Sequence, residues 1–403
     1  MTMASARSEM GRSAASPVRS PPALERVFPV ADLLLLLVLL AVIALAAFDI
    51  YSNMRAMGMQ PGFGFLLQQA GFDLSESIIP YSADSSYLRA ILAGLLNTLV
   101  ISAVSLVLAS LMGLLVALAS VSSSAPARCL ALGYVELFRN LPKILILLVL
   151  FVLAVNGLPT VRHALALGPI LISNRALYFP TIAADARQLW LIAAMAVTLV
   201  LCLAWRRCAR RRQAATGRRQ PLFAVWLAIA VAVFGIAISA LGIPLRVSRP
   251  ALSGFNIHGG LSLSLQFGTM AMTLGLYHGA QIAEVLRGGI RAIPQGQYAA
   301  GLSLGLPAGH VARYVVVPQV LRIVVPSLNN QFVNLIKNTS IAIAVGYSDL
   351  MSVGGTIINQ TFRPMEVMAI TMAIYLVLCL GLTSVLNAWN ERIRRREGRG
   401  GGS

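Results

Sequence analysis

Charge is scarce in this chain: only 11% of its 403 residues are Asp, Glu, Lys or Arg. That is too few to clothe a soluble protein of this length. Acid is scarcer than base, 14 residues against 32, and the formal net charge is +18. Lysine is almost absent; Lys143 and Lys337 are the two. The four cysteines, Cys129, Cys202, Cys208 and Cys379, share no C-x-x-C spacing and fall in or beside apolar runs. That speaks for packing and against metal or disulfide roles. No G-x-x-x-x-G-K-[ST] phosphate loop occurs, so an ATP-driven function would need its ATPase on another chain. There is no H-E-x-x-H zinc motif and no nucleophile–base set, which argues against a membrane-embedded enzyme. Nor is there the internal repeat expected of many gradient-driven secondary transporters.

What is present is apolar sequence, 57% of the chain, with a mean hydropathy of +0.77. Several runs reach the roughly 20 residues that a bilayer-spanning helix needs. The spacing predicts an all-α polytopic membrane protein with about eight spans, at 33–48, 90–118, 132–155, 189–205, 221–243, 263–285, 322–345 and 366–388. Arginine clusters at 206–219 and 392–396 fix those loops inside by the positive-inside rule, and the excess of base needs no nucleic acid to explain it. With eight spans both termini lie in the cytoplasm.

Residues 1–29, rich in Ser, Pro and Arg, read as a disordered cytoplasmic tail. Ala44-Leu45-Ala46 has the form of a signal-peptidase site, but the long tail before it favours an uncleaved anchor helix within 30–89. Residues 90–155 and 263–390 form two parts of one core. Between them, 156–262 is an insertion carrying a helix pair, and 391–403 is a basic tail.

The segment 286–318 is rich in Gly and Pro yet too long for a structureless loop. It divides into two short helices. One runs from Pro294 to Gly305, where a left-handed residue suits a helix end. The other runs from Pro307 and stops before Pro318. Leu302, Leu306, Val311 and Val315 give it an apolar side, which fits either an interfacial helix on lipid or a docking element in a partner's groove. Elsewhere, Thr273, Tyr277, Gln281 and Glu284 share one helix face, and Asn330, Asn334 and Lys337 share another. Polar stripes in apolar helices are candidates for a translocation path or a subunit interface. Gly94, Thr98, Ser102, Ser105 and Ala109 form a small-residue face suited to close helix packing. His278 lies off the first stripe and reads as a packing residue.

The 286–318 segment resembles the "EAA" coupling loop of ABC importer permeases. Gly305 stands at that motif's Gly, Val315-Val316-Val317-Pro318 at its I-x-L-P, and Ala299, Ala300 and Gly301 at E-A-A. The Glu is missing; Gln297 is the nearby polar substitute. Tyr277–Ile290, Asn97-Thr98-Leu99, Glu136-Leu137-Phe138-Arg139-Asn140-Leu141-Pro142 and Lys337-Asn338-Thr339-Ser340-Ile341 resemble runs of the polar amino-acid permeases of the histidine/glutamine type, in the same order. The added anchor and insertion are similar to the larger subunits of general L-amino-acid uptake systems. The resemblance implies a five-helix permease core and an amino-acid importer of the inner membrane. It also implies a second permease subunit, a cytoplasmic ABC ATPase dimer that consumes the ATP, and a periplasmic binding protein. It implies no cofactor on this chain, and a secondary amino-acid transporter is the alternative.

Overall fold

The computed structural model describes residues 24–56, 62–182, 189–216, 222–241, 247–254 and 256–398. The tail at 1–23 and the arginines at 218–219 lie outside these. The chain divides into a unit ending at Gly64 and a larger one from Phe65 onward. The first contains α1 (Leu24–Ala56), 33 residues long. It starts within the segment read as a tail, and its leucines at 33–37 are more than half exposed, as on a lipid-facing helix.

In the larger unit, α2 (Tyr87–Ser120) is followed by α3 (Ala125–Asn140) and α4 (Lys143–Gly157). The expected single span at 132–155 is therefore two helices, bent by 105°. Pro142 is the cause. It disfavours a helical residue before it, and Leu141 is extended at φ −81°, ψ 136°. The insertion holds α5 (Leu189–Thr216) and α6 (Leu222–Leu241). Then come α7 (Leu265–Arg291), α8 (Gln295–Ser303), α9 (Ala308–Val311), α10 (Val317–Asn338), α11 (Leu350–Thr361) and α12 (Pro364–Gly398). The basic tail expected from 391 is helical as far as Gly398.

Three helical runs are long and apolar enough to cross a membrane, Tyr87–Ser120, Ala308–Val345 and Pro364–Ala388, and the bent α3–α4 pair makes a fourth if it counts as one span. The other four expected spans fall on α1, α5, α6 and α7, which do not meet that test among the described residues. In α7 the reason is composition: Thr, His, Gln and five glycines dilute its apolar residues.

An all-α fold is also corrected by short strands that flank α5 and α6. Strands β1 (Leu165–Leu167), β2 (Ile170–Ile172), β3 (Ala176–Phe179) and β8 (Leu261–Ser264) form an antiparallel sheet in that order. Strand β4 (Thr181–Ile182) pairs with β5 (Val247–Ser248), and β6 (Ala251–Ser253) with β7 (Asn256–His258). Leu261-Ser262-Leu263-Ser264 alternates with period two, a strand signature that long apolar runs on either side overshadow.

The core forms where α2 packs along α7. Gly94, Thr98, Ser102, Ser105 and Ala109 are all buried, as expected of a small-residue face, and Gly113 extends it. Facing it, a Cβ on Gly275 would lie 3.0 Å from Leu108, and one on Gly279 would lie 3.0 Å from Met112. Ile101, Leu147, Met270, Leu274 and Leu335 fill the space around this contact. A second cluster, with Phe65, Tyr87, Ile91, Leu350, Val353 and Ile357, packs at the other end of α2.

A Cβ at Gly113 would sit 2.5 Å from Ile282 Cγ2. Gly113→Ile should therefore destabilise the protein by roughly 1–3 kcal/mol or more through overpacking. Thermal unfolding in detergent reads this out. Gly133→Ile, where a Cβ meets nothing within 4 Å, is the matched control and should stay near wild type.

Candidate functional site

Three polar ties hold the core helices at different levels. Near the start of α2, Asn97 donates from Nδ2 to the Glu76 carbonyl (2.7 Å) and the Ser348 carbonyl (2.8 Å). Thr98 Oγ1 accepts from the Leu350 amide at 2.9 Å, and Tyr347 donates to the Asn97 carbonyl at 3.3 Å. Asp349 caps α11 by accepting from the Ser352 amide, and Tyr375 of α12 donates to its other oxygen. The Glu76 carboxylate accepts from Ser264 N (2.9 Å) and Ser264 Oγ (3.0 Å), clasping the segment before α2 to the start of α7.

A second tie joins two of the motifs quoted above and the residue that follows a third. The Lys143 ammonium, first residue after the Pro142 break, donates to Asn338 Oδ1. Asn338 Nδ2 lies 3.0 Å from Nε2 of buried His278. So His278 joins α7 to the end of α10 instead of merely filling space. The third tie is ionic. Arg287 grips Glu284 through two bonds of 2.7 and 3.0 Å, and Arg139 of α3 approaches the same carboxylate at 4.0 Å. Nearby, Tyr134 donates to the Leu276 carbonyl at 2.7 Å.

The expected stripe on α7 thus divides. Thr273 is fully buried and bonds its own helix at the Thr269 carbonyl. Tyr277 and Gln281 are half-buried, and Glu284 belongs to the ionic tie. On α10, by contrast, Asn330, Asn334 and Lys337 are all exposed along one face. The structure does not bring the two stripes together.

The segment at 286–318 is a helical hairpin. Helix α8 ends at Ser303 and Gly305 has φ +76°, with its amide donating to the Leu302 carbonyl at 2.9 Å. Gly301 is buried under Val311, so closely that a Cβ there would come within 2.8 Å of the valine side chain. This overturns the single apolar side: Val311 turns inward onto Gly301, while Leu302, Leu304 and Leu306 stay exposed, Leu304 at 81%. Gln297, Ala299 and Ala300 are exposed as well, and Gln319 donates to Gln297 at 3.3 Å. The second helix does not stop before Pro318. A wide π-type turn, Ala312–Val316, carries the chain into α10 with Pro318 in its first turn, where its missing N–H is tolerated.

Residues 109–396 match the family described as binding-protein-dependent transport system inner membrane component. The chain belongs to this family. Its curated relatives in it are amino-acid permeases. The chain is 37% identical to the general L-amino acid transport system permease protein AapQ of Rhizobium johnstonii, over 89% of its own length and 90% of the relative's. It is 37% identical to the putative amino-acid ABC transporter permease protein YhdX of Escherichia coli, over 85% and 88%. It is 33% identical to the glutamate/glutamine/aspartate/asparagine transport system permease protein BztB of Rhodobacter capsulatus, over 91% and 93%. As a transport-system inner membrane component, the protein is a multi-pass, mostly helical permease, and family members are transport subunits.

Burial lifts the Glu76 carboxyl above its ordinary value of 4.5, against the Ser264 bonds that pull it down. A raised folded value stabilises fully below the unfolded value and is lost as the pH climbs through the folded one. Thermal stability of the purified permease should therefore decline as the pH rises above 4.5. Glu76→Gln should remove that part of the slope, read by melting curves across the pH range.

Proposed function

We propose that this chain is one of two permease subunits in an ATP-driven importer of amino acids, polar ones and broad in range, in the bacterial inner membrane. The observation that carries the reading is the exposed hairpin α8–α9. Its left-handed Gly305 stands where the family's coupling loop has its glycine, and it presents Leu302, Leu304 and Leu306 to a partner. The relatives' names supply the amino-acid class.

In this reading the spans number eight, with both termini cytoplasmic. The first, in 30–89, is an anchor, α5 and α6 within 156–262 are an added pair, and 90–155 with 263–390 make the five-helix core. A periplasmic binding protein delivers the amino acid. A second permease completes the path, and a cytoplasmic ATPase dimer hydrolyses ATP and grips 286–318 at Gln297, Ala299, Ala300, Gly301, Gly305 and Pro318. The side chain missing from the usual Glu position leaves that grip to shape and apolar contact, with Gln297 as the polar element. Closure of the ATPase pair moves the hairpin, and the core helices rock between outward and inward access. Thr273, Tyr277, Gln281, Glu284, Asn330, Asn334 and Lys337 are candidates for the lining of that path or for the subunit interface. The burial of Thr273 favours the α10 set.

Purification of the tagged chain from native membranes should bring down a second permease and a P-loop ATPase, and added binding protein with amino acid should stimulate ATP hydrolysis. Recovery of the chain alone under gentle extraction would favour the gradient-driven alternative. In the purified complex Gly305→Ala should lower transport moderately, since a left-handed L-residue costs about 1–2 kcal/mol. Gly305→Val should lower it further, and Gly305→Asn should stay nearest to wild type. A Cβ at Gly305 meets open space, so crowding cannot explain a loss.

A further inference from the structure

The insertion carries positive charge where a membrane protein normally avoids it. Strand β8 leads directly into α7, and the hairpin α8–α9 follows the end of that helix. The sheet and the hairpin are therefore separated by the 27 residues of α7, roughly 40 Å. With the hairpin in the cytoplasm the sheet is on the outer side, where short loops are poor in Arg and Lys. Yet the stretches 157–187 and 242–264, which build and flank the sheet, hold Arg162, Arg175, Arg187, Arg246 and Arg249 against one acid, Asp185. The segment 57–86 before α2 is the reverse, with Asp73, Glu76 and Asp84 and no Arg or Lys.

The fold gathers the basic residues around the single helical turn Val161–His163. Asn174, next to Arg175, donates its amide to the Pro159 carbonyl at 2.8 Å, and β7 packs on the turn. Strand β7 ends at His258, and a Cβ on the following Gly259 would lie 2.8 Å from the Arg249 carbonyl oxygen. Arg162, His163, Arg175, Arg249 and His258 are all exposed. Among the described residues, Arg175 and Arg249 have no carboxylate within ion-pair distance. On the same strands Leu165, Leu167, Leu252 and Leu261 are each about half exposed. Exposed leucine with arginine suits a contact that has an apolar centre and a charged rim.

We propose that the sheet of the insertion is a docking face for the system's binding protein, which meets it with an acidic surface. The family is binding-protein-dependent, so such a partner approaches from this side. Arginine pairs with carboxylates through two parallel bonds and so fixes orientation as well as attracting. The exposed Asp73 and Asp84 give the neighbouring segment the opposite sign, so an acidic patch is drawn to the sheet and turned away from 73–84. The proposal rests on the importer reading and deepens it, because it gives the inserted segment a partner and a chemistry.

The test uses the complete complex of both permeases and the ATPase in nanodiscs, with the purified binding protein of the same system loaded with amino acid. ATP hydrolysis is read against binding-protein concentration. In the wild type the concentration for half-maximal stimulation should rise severalfold between about 0.01 M and 0.15 M salt, as the Debye length falls from ~30 to ~8 Å. The double variant Arg175→Glu/Arg249→Glu should need about tenfold more binding protein and lose most of that salt dependence. Arg175→Lys/Arg249→Lys should stay near the wild type. If the Glu variant does not assemble, Arg175→Gln/Arg249→Gln should show the same shift to a smaller degree. The docking face is overturned if the wild-type titration ignores salt, or if the altered complexes titrate as the wild type does. It is also overturned if the Glu variant releases the second permease, since the sheet is then a subunit contact. Loss of a bound anionic lipid by native mass spectrometry, with the titration unchanged, would assign the arginines to lipid instead. A wild-type complex that no binding protein stimulates would bring down the importer reading and the docking face with it, whereas the preceding outcomes strike the docking face alone.

Discussion

The close approach of α2 to α7 is the constraint from which the rest of the structure follows. Inside a bilayer there is no hydrophobic force to press helices together, so contact depends on packing and on polar ties. Small residues on both helices let the two backbones meet, and Gly113 admits Ile282 where any side chain would collide. Once the two lie side by side, Asn97 and Thr98 come level with the turn before α11, and the start of α7 comes level with Glu76. These bonds satisfy backbone groups where α10 gives way to α11 and helical pairing stops, a place where lone polar groups would be expensive.

The second and third ties then fasten α3, α4 and α10 to that pair. Their chemistry differs along the helices: amides, hydroxyls and carboxylates near the start of α2, a lysine–amide–imidazole link next, and a carboxylate between arginines toward the end of α7. Helical structure runs from Ala308 to Val345, so the second helix of the hairpin and Lys337 are on one continuous element. A displacement of the hairpin need not be relayed through many side chains to reach the far end of α10. It can arrive as movement of a single rod that is pinned to α7 near Gly289, which Val324 overlies, and again at Asn338.

Long apolar runs made the helices readable, and the same runs hid what interrupts them. The turn at Gly305 and the tight face of α2 follow from local rules, left-handed glycine and small-residue spacing, and both stand in the structure. Pro142 was visible as a breaker, yet its place inside a long apolar stretch made one span the natural reading. Pro318 misled in the other direction, because a proline in the first turn of a helix looks the same in sequence as one that ends a helix. The role of His278 was not legible at all. It depends on Asn338 and Lys143, which lie 60 and 135 positions away and meet it only after the helices pack. Its one hint was that His278 and Asn338 sit within runs that resemble the same family, with Lys143 next to a third.

The pairing of β4 with β5 and of β3 with β8 has a consequence for how such a protein can vary. Strands that precede the α5–α6 pair are zipped to strands that follow it, so the two ends of that pair are held about one strand spacing apart, ~5 Å. A segment whose ends already touch can be lengthened, shortened or exchanged without pulling on what lies beneath it. The sheet acts as a socket for the two helices, which a permease could gain or lose with little strain on the strands that hold them.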